Sequence, residues 1–523
     1  MPKQKTDDLI QLIRSLTRAE KRHFRLFVKR NQQSDNILFL QLFDFLQKSK
    51  VYQESAILIK LPGIKKSQLS NLKAHLYKQL LTSLRLLNKN YALEIQLREA
   101  IDHAKVLYDK GVYRQSLDLL DKVKQKAMAG EFLPIAMEIL DFEKHIESQY
   151  ITRSIEGRAE ALTSEAVMVH QRLGKRLQFS NLSLKLYGLY LTKGYVKSEN
   201  EFLDLKQYFD RNVPNIPLED LDLLGKMHYH QSYLWYYHMA QDFPKCYRHA
   251  KNWVHLFKEH APLLENYPAL YLKAIHNLLS TLFYLGKNDE FLLVFEDLKK
   301  LQEVGKVIAT RNIEGLYNLY LYIHAINSHY IQGTFTEGVQ LIPELEAIIR
   351  GEEFNWDKHR VMVFYYRIAC LLFGSGDYGQ TIVYLNKIIN SKNPDYRADI
   401  QCFARILSLI AHFELGNDQL LEYQIISVYR FLSKMQELGA VHREIFSFLR
   451  KIPTMEKKGL GLQFALLHDK LEKLAHHPYE KRAFLYLDII SWLESKIQNR
   501  LVQDVIQEKF NLSRQNQFDP GTL

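Results

Sequence analysis

The sequence predicts an all-α protein built from antiparallel helical hairpins, and three observations support this fold class. Residues that break helices are sparse, since the 523 residues include only 13 prolines and 22 glycines. Between them, apolar residues recur at the spacing of one helix face, as at Leu117, Leu120 and Val123. A short turn, usually with a glycine, also returns along most of the chain. Together these patterns predict a repeated pair of helices.

The recurring turn divides the middle of the chain into units of similar length. Its markers lie at successive intervals of 83, 47, 45, 47, 43 and 40 residues: Gly111, Gly194, Gln241, Gly286, Gly333, Gly376 and Gly416. The first interval is about two periods, with a degenerate repeat around Gly157. Glycine ends a helix by adopting the left-handed conformation, and a following Asp or Asn can cap the next helix. Each marker is therefore predicted to join the two helices of a hairpin.

Gly374, Gly376 and Gly379 also match the G-x-G-x-x-G spacing of a dinucleotide-binding loop, and Asp399 follows where a ribose-binding acid would lie. Such a loop needs a buried strand before it. The preceding residues, HRVMVFYYRIACLLF (359–373), are too many for a typical strand and are easily read as a helix. Because the turn recurs elsewhere without its glycine triplet, we interpret this spacing as coincidence.

The composition is typical of a folded protein with a hydrophobic core. Apolar residues make up 47% of the chain and charged residues 25%. No apolar run approaches the roughly 20 residues that cross a bilayer, and the first residues show no secretory signal pattern. The three cysteines, Cys246, Cys370 and Cys402, fit neither a disulfide framework nor a zinc site. We therefore expect a cytoplasmic protein without membrane contact.

The net charge of +11 is concentrated near the N terminus. Residues 1–90 contain 18 Lys and Arg against 6 Asp and Glu, a balance of +12, whereas the remaining residues contain 52 basic and 53 acidic side chains. Such an asymmetry favours a separate N-terminal domain with an anionic partner.

The segment GSGDYGQTIVYLNKII (374–389) resembles the middle of a tetratricopeptide repeat, where a first helix ends at Gly and an Asp-aromatic pair precedes a second helix. That family places a small residue five positions after the marker, with agreement here at Thr381, Ser116, Cys246 and Gly338 and departures at Phe291, Leu421 and Glu199. The aromatic residue two positions after the marker is present as Tyr113, Phe243, Phe335 and Tyr378. Intervals of 40–47 residues exceed the family value of about 34. Over residues 91–435 the resemblance implies a right-handed superhelix, an α-solenoid.

Both ends of the chain are similar to the ends of an uncharacterised family of bacterial tetratricopeptide-like proteins. The similar segments are LIRSLTRAEKRHFRLFVKR (12–30) and FLYLDIISWLESKIQNR (484–500). The resemblance implies a bacterial cytosolic protein and no particular activity.

The N-terminal residues are predicted to form a basic helical module. Thr17 and Glu20 match a capping box, and residues 52–88 have the outline of a helix-turn-helix with a break at Pro62–Gly63–Ile64. In that motif the second helix lies in the major groove of DNA. The candidate nucleic-acid contacts are Arg22, Lys65, Lys66, Gln68, Asn71 and Lys73. The alternatives are a solvated basic face on the first helices of the superhelix, or a surface for an acidic protein.

No set of catalytic residues is evident, and we expect a protein that is not an enzyme. The densest histidine cluster, His228, His230 and His238, has the wrong spacing for ligands on one helix face. The sequence contains none of the H-E-x-x-H, C-x-x-C, G-x-S-x-G or Walker patterns. We therefore predict no metal and no cofactor.

The resemblance also implies a candidate groove, because the concave face of such a superhelix is lined by the first helix of each hairpin. Carried over from the turn markers, the groove positions are His228, Gln231, Trp235, Lys273, His276, Ser280, Tyr284, Tyr320, Asn327 and Tyr366. Amide, imidazole, ammonium and phenol groups suit a peptide, whose backbone needs hydrogen-bond partners. The alternative is that the aromatic members pack between neighbouring hairpins.

The predicted organisation has a basic module at 1–90, tetratricopeptide-like repeats at 91–439, C-terminal capping helices at 440–510 and a disordered tail at 511–523. The leading hypothesis is a non-catalytic adaptor or scaffold that binds a protein or peptide in the groove. The alternative is a DNA-binding regulator with a repeat-based sensor domain, or an RNA- or ribosome-associated protein.

Overall fold

The computed structural model shows a helical protein over the residues that it describes. These residues are 8–31, 38–49, 52–88, 92–149, 157–303, 307–351, 354, 356–391, 398–435, 439–451, 459–480, 484 and 488–517. Regular secondary structure within them is entirely helical, and consecutive helices pack on each other as in a helical solenoid. The predicted all-α fold class is therefore confirmed, whereas the handedness of the superhelix stays a prediction. None of the helices in these ranges has both the length and the apolar character that a membrane span requires.

The chain divides into two compact units, Met1–His170 and Gln171–Leu523. The helices of the first unit are α1 (Asp8–Ser15), α2 (Arg18–Asn31), α3 (Leu38–Lys48), α4 (Glu54–Lys60), α5 (Lys66–Asn88), α6 (Leu93–Asp109), α7 (Tyr113–Ala129) and α8 (Leu133–Gln149). Helix α9 (Arg158–Lys193) begins in the first unit and ends in the second. Helices α1–α5 enclose a hydrophobic core of their own. The predicted boundary at residue 90 falls among residues 89–91, outside the described ranges.

The second unit continues the series of helices around one long hydrophobic core. Its helices are α10 (Glu199–Asn212), α11 (Leu223–Met239), α12 (Phe243–Glu259), α13 (Ala261–Asn266), α14 (Pro268–Tyr284), α15 (Asn288–Lys300), α16 (Arg311–Gln332), α17 (Phe335–Gly338), α18 (Ile342–Gly351), α19 (Lys358–Gly374), α20 (Tyr378–Ile389), α21 (Ala398–Glu414), α22 (Asp418–Lys434), α23 (Ala440–Lys451), α24 (Leu460–Ala475), α25 (Ile489–Gln498) and α26 (Val502–Gln517). Short 3₁₀ turns lie at Leu218–Asp220 and Val339–Leu341. The second helix of one hairpin packs against the first helix of the next, as α12 does with α14 and α20 with α21.

Every marker of the recurring turn joins two helices, so the predicted hairpins are confirmed. All seven markers have a positive φ, from 58° at Gln241 to 87° at Gly376. This left-handed conformation favours glycine, and Gln241 adopts it while its side-chain amide donates to the Val196 carbonyl at 3.0 Å. A further turn, with a φ of 64° at Glu131, joins α7 and α8. The sequence analysis did not include that turn among its markers.

The small residue five positions after the marker joins the two helices of a hairpin. Ser116 donates its hydroxyl proton to the Ala104 carbonyl of the first helix at 2.7 Å. Cys246 makes the equivalent contact with the Leu234 carbonyl at 3.5 Å, and Thr381 occupies the same position in α20. All three side chains are fully buried. A larger residue in their place would have to separate the helices or repack the core.

The G-x-G-x-x-G residues belong to one of these hairpins. Gly374 is the last residue of α19, Gly376 is the left-handed marker, and Gly379 lies in α20. A Cβ atom at Gly374 would lie 2.3 Å from the Phe335 ring. The Asp377 side chain caps the N terminus of α20. The glycine therefore permits close packing of helices, and a helix precedes the turn where a dinucleotide loop would need a strand.

The C-terminal helices lie along the edge that the hairpin turns form. Helix α26 packs against the turn at Gly333, where an added Cβ atom would lie 2.5 Å from the Gln507 backbone nitrogen. Trp492 in α25 donates its indole N–H to Glu414 at the end of α21. The segment predicted as a terminal cap thus also covers turns of internal hairpins.

Residues 511–517, which belong to the predicted disordered tail, are helical because they continue α26. Arg514 forms an ion pair with Asp289 at 3.1 Å and lies over the Phe510 ring. The ion pair connects the last turns of α26 to α15. Residues 518–523 lie outside the described ranges.

Candidate binding sites

The ten predicted groove residues lie on the first helices of four successive hairpins, α11, α14, α16 and α19. Successive first helices contact each other, α14 with α16 and α16 with α19. Half of the residues are less than a tenth exposed: Gln231, Trp235, Tyr320, Asn327 and Tyr366. The others are partly exposed: His228, Lys273, His276, Ser280 and Tyr284. A ligand could therefore contact the partly exposed residues, whereas the buried residues belong to the core beneath them.

An aromatic cluster surrounds Trp235 and supports Lys273. The rings of Tyr187 and Tyr190, both on α9, lie 5.0 and 5.2 Å from the Trp235 ring. The Lys273 ammonium lies 5.4 Å from the centre of the Tyr187 ring and 6.0 Å from that of Trp235. A cation over these ring faces is attracted by their π electrons. Aromatic side chains from α9 and α11 therefore pack against Lys273 of α14.

The Lys273 ammonium is partly buried without a carboxylate beside it. Within the described part of the chain it forms no ion pair and no hydrogen bond. Burial alone lowers the pKa of this lysine. Removing an ammonium from water is costly unless an anion or a set of acceptors replaces the water. The position is therefore one that an external anion would stabilise.

A chain of polar contacts runs from His276 across two neighbouring helices to Arg367. His276 Nδ1 and His324 Nε2 share a hydrogen bond of 2.9 Å, and the His276 ring stacks on Tyr320 with centroids 4.1 Å apart. On its other side, His324 Nδ1 lies 3.4 Å from the amide nitrogen of Asn327. Arg367 donates from Nη1 to Asn327 Oδ1. The chain links α14, α16 and α19.

The surroundings of this chain are positively charged. Burial lowers the pKa of His276 to about 3, and the charges of Arg367, Lys273 and Arg360 contribute in the same direction. Burial also holds the pKa of His324 well below its usual 6.5. No described carboxylate is among the groups with the largest effect on the pKa of either ring. Two neutral imidazoles thus lie near Lys273 and Arg367, whose charges attract anions, whereas Arg360 is paired with Asp357 at 3.2 Å.

The remaining predicted groove residues have separate surroundings. His228 Nδ1 lies 3.3 Å from Gln231 Oε1. Tyr284 packs against aromatic rings of the preceding hairpin. Tyr366 is buried in α19, and Ser280 is partly exposed on α14. These residues flank the polar chain and are not joined to it by the contacts described above.

Sequence reasoning missed Tyr187, His324, Arg360 and Arg367. The predicted groove residues lay thirteen, ten, six or two positions before a marker, whereas His324 and Arg367 lie nine before Gly333 and Gly376. A residue nine before the marker lies one helical turn from those at thirteen and six, so the face periodicity contains the signal that identifies them. Tyr187 lies seven residues before Gly194, a distance that is not among the predicted positions.

The clustered histidines of α11 face different partners. His230 Nδ1 lies 3.0 Å from His249 Nδ1, and His238 Nε2 lies 2.9 Å from the Tyr195 hydroxyl. Elsewhere in the described chain, one group of side chains has potential ligand atoms within 4.8 Å of one another: His468, Asp469 and Glu472. Its two carboxylates are exposed on α24, an arrangement that is common without an ion. The absence of a metal site stays a prediction.

Helix α2 of the basic module begins at the predicted capping box. Thr17 N donates to Glu20 Oε2 at 2.6 Å, and Glu20 N donates to Thr17 Oγ1 at 3.2 Å. Arg25 is held by Asp44 at 2.7 Å, whereas Arg22 is exposed. Part of the charge on this helix is therefore structural and part is available to a partner.

The predicted break before α5 is confirmed, since α4 ends at Lys60 and α5 begins at Lys66. The exposed candidates at this position are Lys65, Lys66, Gln68 and Asn71. Lys73 differs from them, because its ammonium lies 4.4 Å from the Tyr52 ring centre and donates to the Tyr52 hydroxyl at 3.1 Å. The candidates open to a nucleic acid are thus Arg22 on α2 and the exposed residues at the start of α5.

Neither the known family models nor the curated proteins contain a match to this chain. The resemblance to tetratricopeptide proteins stays a prediction, and the function is argued below from the residues themselves.

Proposed function

We propose that the chain is a non-catalytic adaptor that binds a peptide segment of another protein along the first helices of its hairpins. The observation behind the proposal is a row of side chains on the first helices of the hairpins. This row consists of Tyr187 on α9, Trp235 on α11, Lys273 and His276 on α14, Tyr320, His324 and Asn327 on α16, and Arg367 on α19. Rings at Tyr187 and His276 offer apolar shelves, while amide and cationic groups between them can pair with a peptide backbone and its side chains.

The buried residues of the row give it a fixed shape. Trp235, Tyr320 and Asn327 are each less than a tenth exposed and contact the partly exposed residues directly. A surface that is held before binding loses less side-chain entropy when a ligand arrives. The two imidazoles at the centre bond to each other and stay neutral, which suits recognition better than proton transfer at neutral pH.

A peptide-display selection on the immobilised full-length protein tests the proposal. Selected peptides, labelled with a fluorophore, are expected to bind the protein and to lose at least tenfold in affinity with Tyr187→Ala. The matched control is Tyr423→Ala, because Tyr423 is 76% exposed on the second helix α22. Failure to select any peptide, or equal effects of the two variants, would count against the groove.

The second candidate function is nucleic-acid binding through the basic module. It is favoured by the exposed Lys65, Lys66, Gln68 and Asn71 at the first turn of α5. Lysines there could neutralise phosphates, while the two amides have the hydrogen-bonding groups that read adenine.

Anisotropy titrations of labelled duplex DNA and of single-stranded RNA test this candidate. The double variant Lys65→Gln with Lys66→Gln is expected to weaken binding and to reduce its dependence on salt, because fewer counterions are released. Lys299→Gln with Lys300→Gln removes an adjacent exposed pair from α15 and serves as the control. Absence of binding at low salt would exclude this function.

A further inference from the structure

We propose that the segment bound along the first helices is acidic, with carboxylates that pair with Lys273 and Arg367. This inference rests on the proposed function and adds the chemical class of the partner. It follows from two features of the row within the described chain: an ammonium without a counterion, and a guanidinium with a buried nitrogen that lacks an acceptor.

Among the described residues, Lys273 lacks the carboxylate partner that a second cation of the same unit has. Arg176, on α9, forms an ion pair with Asp222 at 2.7 Å, and its side chain is 8% exposed. The chain thus supplies a carboxylate to one cation of this region and none to Lys273. The unpaired lysine retains its aromatic supports and a path to solvent, so an incoming carboxylate can reach it.

Arg367 offers the second anchoring group. Its Nη1 donates to Asn327 Oδ1, whereas its Nε is buried without an acceptor among the described residues. A guanidinium has five N–H donors in a planar fork that matches a carboxylate. Arg360 lies two helical turns earlier on α19 and is exposed, but its Nε forms an ion pair with Asp357 at 3.2 Å, so the proposed anchors are Lys273 and Arg367 alone.

Among the described residues, no carboxylate forms an ion pair with Lys273 or Arg367, whereas Asp357 pairs with Arg360 at 3.2 Å. The side chains with the largest electrostatic effects on His276 are Arg367, Lys273, His238 and Arg360, and none of them is a carboxylate. Arg360 is also the charged group that acts on Tyr320. An anion bound here would therefore be attracted by Lys273 and by Arg367.

The geometry favours a peptide over a nucleic acid. Lys273 and Arg367 are partly buried and lie on different helices, with neutral amide and imidazole groups between them. Spaced carboxylates with a hydrogen-bonding backbone between them fit this pattern. A phosphate backbone is usually followed by a groove of exposed Lys and Arg side chains, and in this chain the excess of basic over acidic residues lies in residues 1–90.

The probe for the test is a labelled twelve-residue peptide that alternates Glu with Leu and Tyr, and its control has Gln in place of every Glu. The full-length protein is expected to bind the Glu peptide at least tenfold more tightly than the Gln peptide. Lys273→Met and Arg367→Gln are each expected to remove at least tenfold of that affinity. Lys273→Arg keeps the charge and should retain binding, and Lys300→Met, on the second helix α15, should have no effect.

The far-UV circular dichroism and unfolding midpoint of each variant confirm that it is folded. Equal binding of the Glu and Gln peptides, or retention of affinity by both charge-removing variants, would overturn the inference. It would also be overturned if single-stranded RNA displaced the Glu peptide and depended on the same two residues. If displayed peptides bind and depend on Tyr187 but the Glu peptide does not bind, the adaptor function is supported and the acidic character of its ligand is contradicted. If neither the displayed peptides nor the Glu peptide bind, both proposals are contradicted.

Discussion

Two lysines, the buried Lys124 of the first unit and the partly buried Lys273 of the second, are stabilised in opposite ways. Lys124 in α7, whose side chain is 7% exposed, donates to Glu143 and Glu165 at 2.7 and 2.8 Å. Lys273 in α14 lies against two aromatic rings, with no described carboxylate beside it. Burial lowers the pKa of both ammonium groups, but the hydrogen bonds to Glu143 and Glu165 outweigh it at Lys124 and raise its net pKa.

The difference separates a structural charge from one that is open to a ligand. Glu143 is fully buried, so removal of Lys124 would leave its carboxylate with the more distant Arg158, at 3.6 Å, and with no water to replace the lost hydrogen bond. Nothing comparable depends on the Lys273 ammonium. The Lys273 ammonium, which no described carboxylate neutralises, can therefore pair with a bound partner, whereas the Lys124 ammonium is already paired with Glu143.

The largest expected effect is the loss of stability on replacing Lys124 with Met. The variant should cost the first unit about 3 kcal/mol or more at pH 8, because a buried carboxylate loses its partner. The cost should be smaller at pH 5, where Glu143 can take up a proton. Hydrogen exchange of α7 and α8, followed by mass spectrometry, measures the loss. Lys144→Met in α8 is the control, since Lys144 is a surface residue 4.0 Å from Asp141.

A second substitution tests whether the loss of stability depends on the ion pair of the removed cation or on the unit in which that cation lies. Arg176→Met removes a paired cation from the same unit as Lys273 and leaves Asp222 buried, with 1% of its side chain exposed. We expect a loss of about 2–3 kcal/mol, measured by denaturant unfolding. An Arg176→Met protein as stable as the wild type would show that the comparison reflects the unit and not the pairing.

The two units should also respond to pH with opposite signs. Burial lowers the pKa of His230 to about 4 and that of His249 to about 3, below the usual 6.5. The unfolded chain then binds protons that the native second unit does not, so stability falls as the pH drops from 6.5 towards 4. Each imidazole contributes about 1.4 kcal/mol per pH unit in that window.

In the first unit, burial and a hydrogen bond with Asp121 raise the pKa of Glu143 to about 7. The native state keeps a proton that the unfolded chain has already released, so stability falls as the pH rises from 4.5 to 7. Tryptophan fluorescence follows the second unit, which contains all four tryptophans, and hydrogen exchange follows α7 and α8.

A matched pair of variants on α12 isolates the histidine contribution. His249→Gln should reduce the acid slope of the second unit, because one buried imidazole no longer titrates. His255→Gln should leave the slope unchanged, since the His255 side chain is 64% exposed. Slopes of the same sign in the two units would contradict the predicted difference between them.

The sequence predicted the hairpins because the turn has a strict backbone requirement. Left-handed residues favour glycine, and six of the seven markers are glycine. The small residues at Ser116, Cys246 and Thr381 were predictable for a similar reason, since two helices approach closely there. The turn at Glu131 and the position of α26 were not, because neither depends on a distinctive local pattern.

The candidate site was predicted only in part. The correct helices and several residues followed from their distance to the turn, among them Lys273 and His276. The contact between His276 and His324 joins residues 48 positions apart, and the bond from Arg367 to Asn327 spans 40. Such pairs depend on how neighbouring helices rotate and pack, which the spacing within one helix does not specify.

The smallest expected change in stability, and the one that tests the comparison most directly, is that of Lys273→Met. Methionine keeps the chain length against Tyr187 and Trp235 while removing an ammonium that has no described counterion. The free energy of unfolding should stay the same or rise by up to about 1 kcal/mol, because an unpaired charge no longer has to be buried. Denaturant unfolding followed by tryptophan fluorescence measures it. A loss of 2 kcal/mol or more would mean that the ammonium stabilises the fold as Lys124 does, and would remove the argument that it is reserved for a partner.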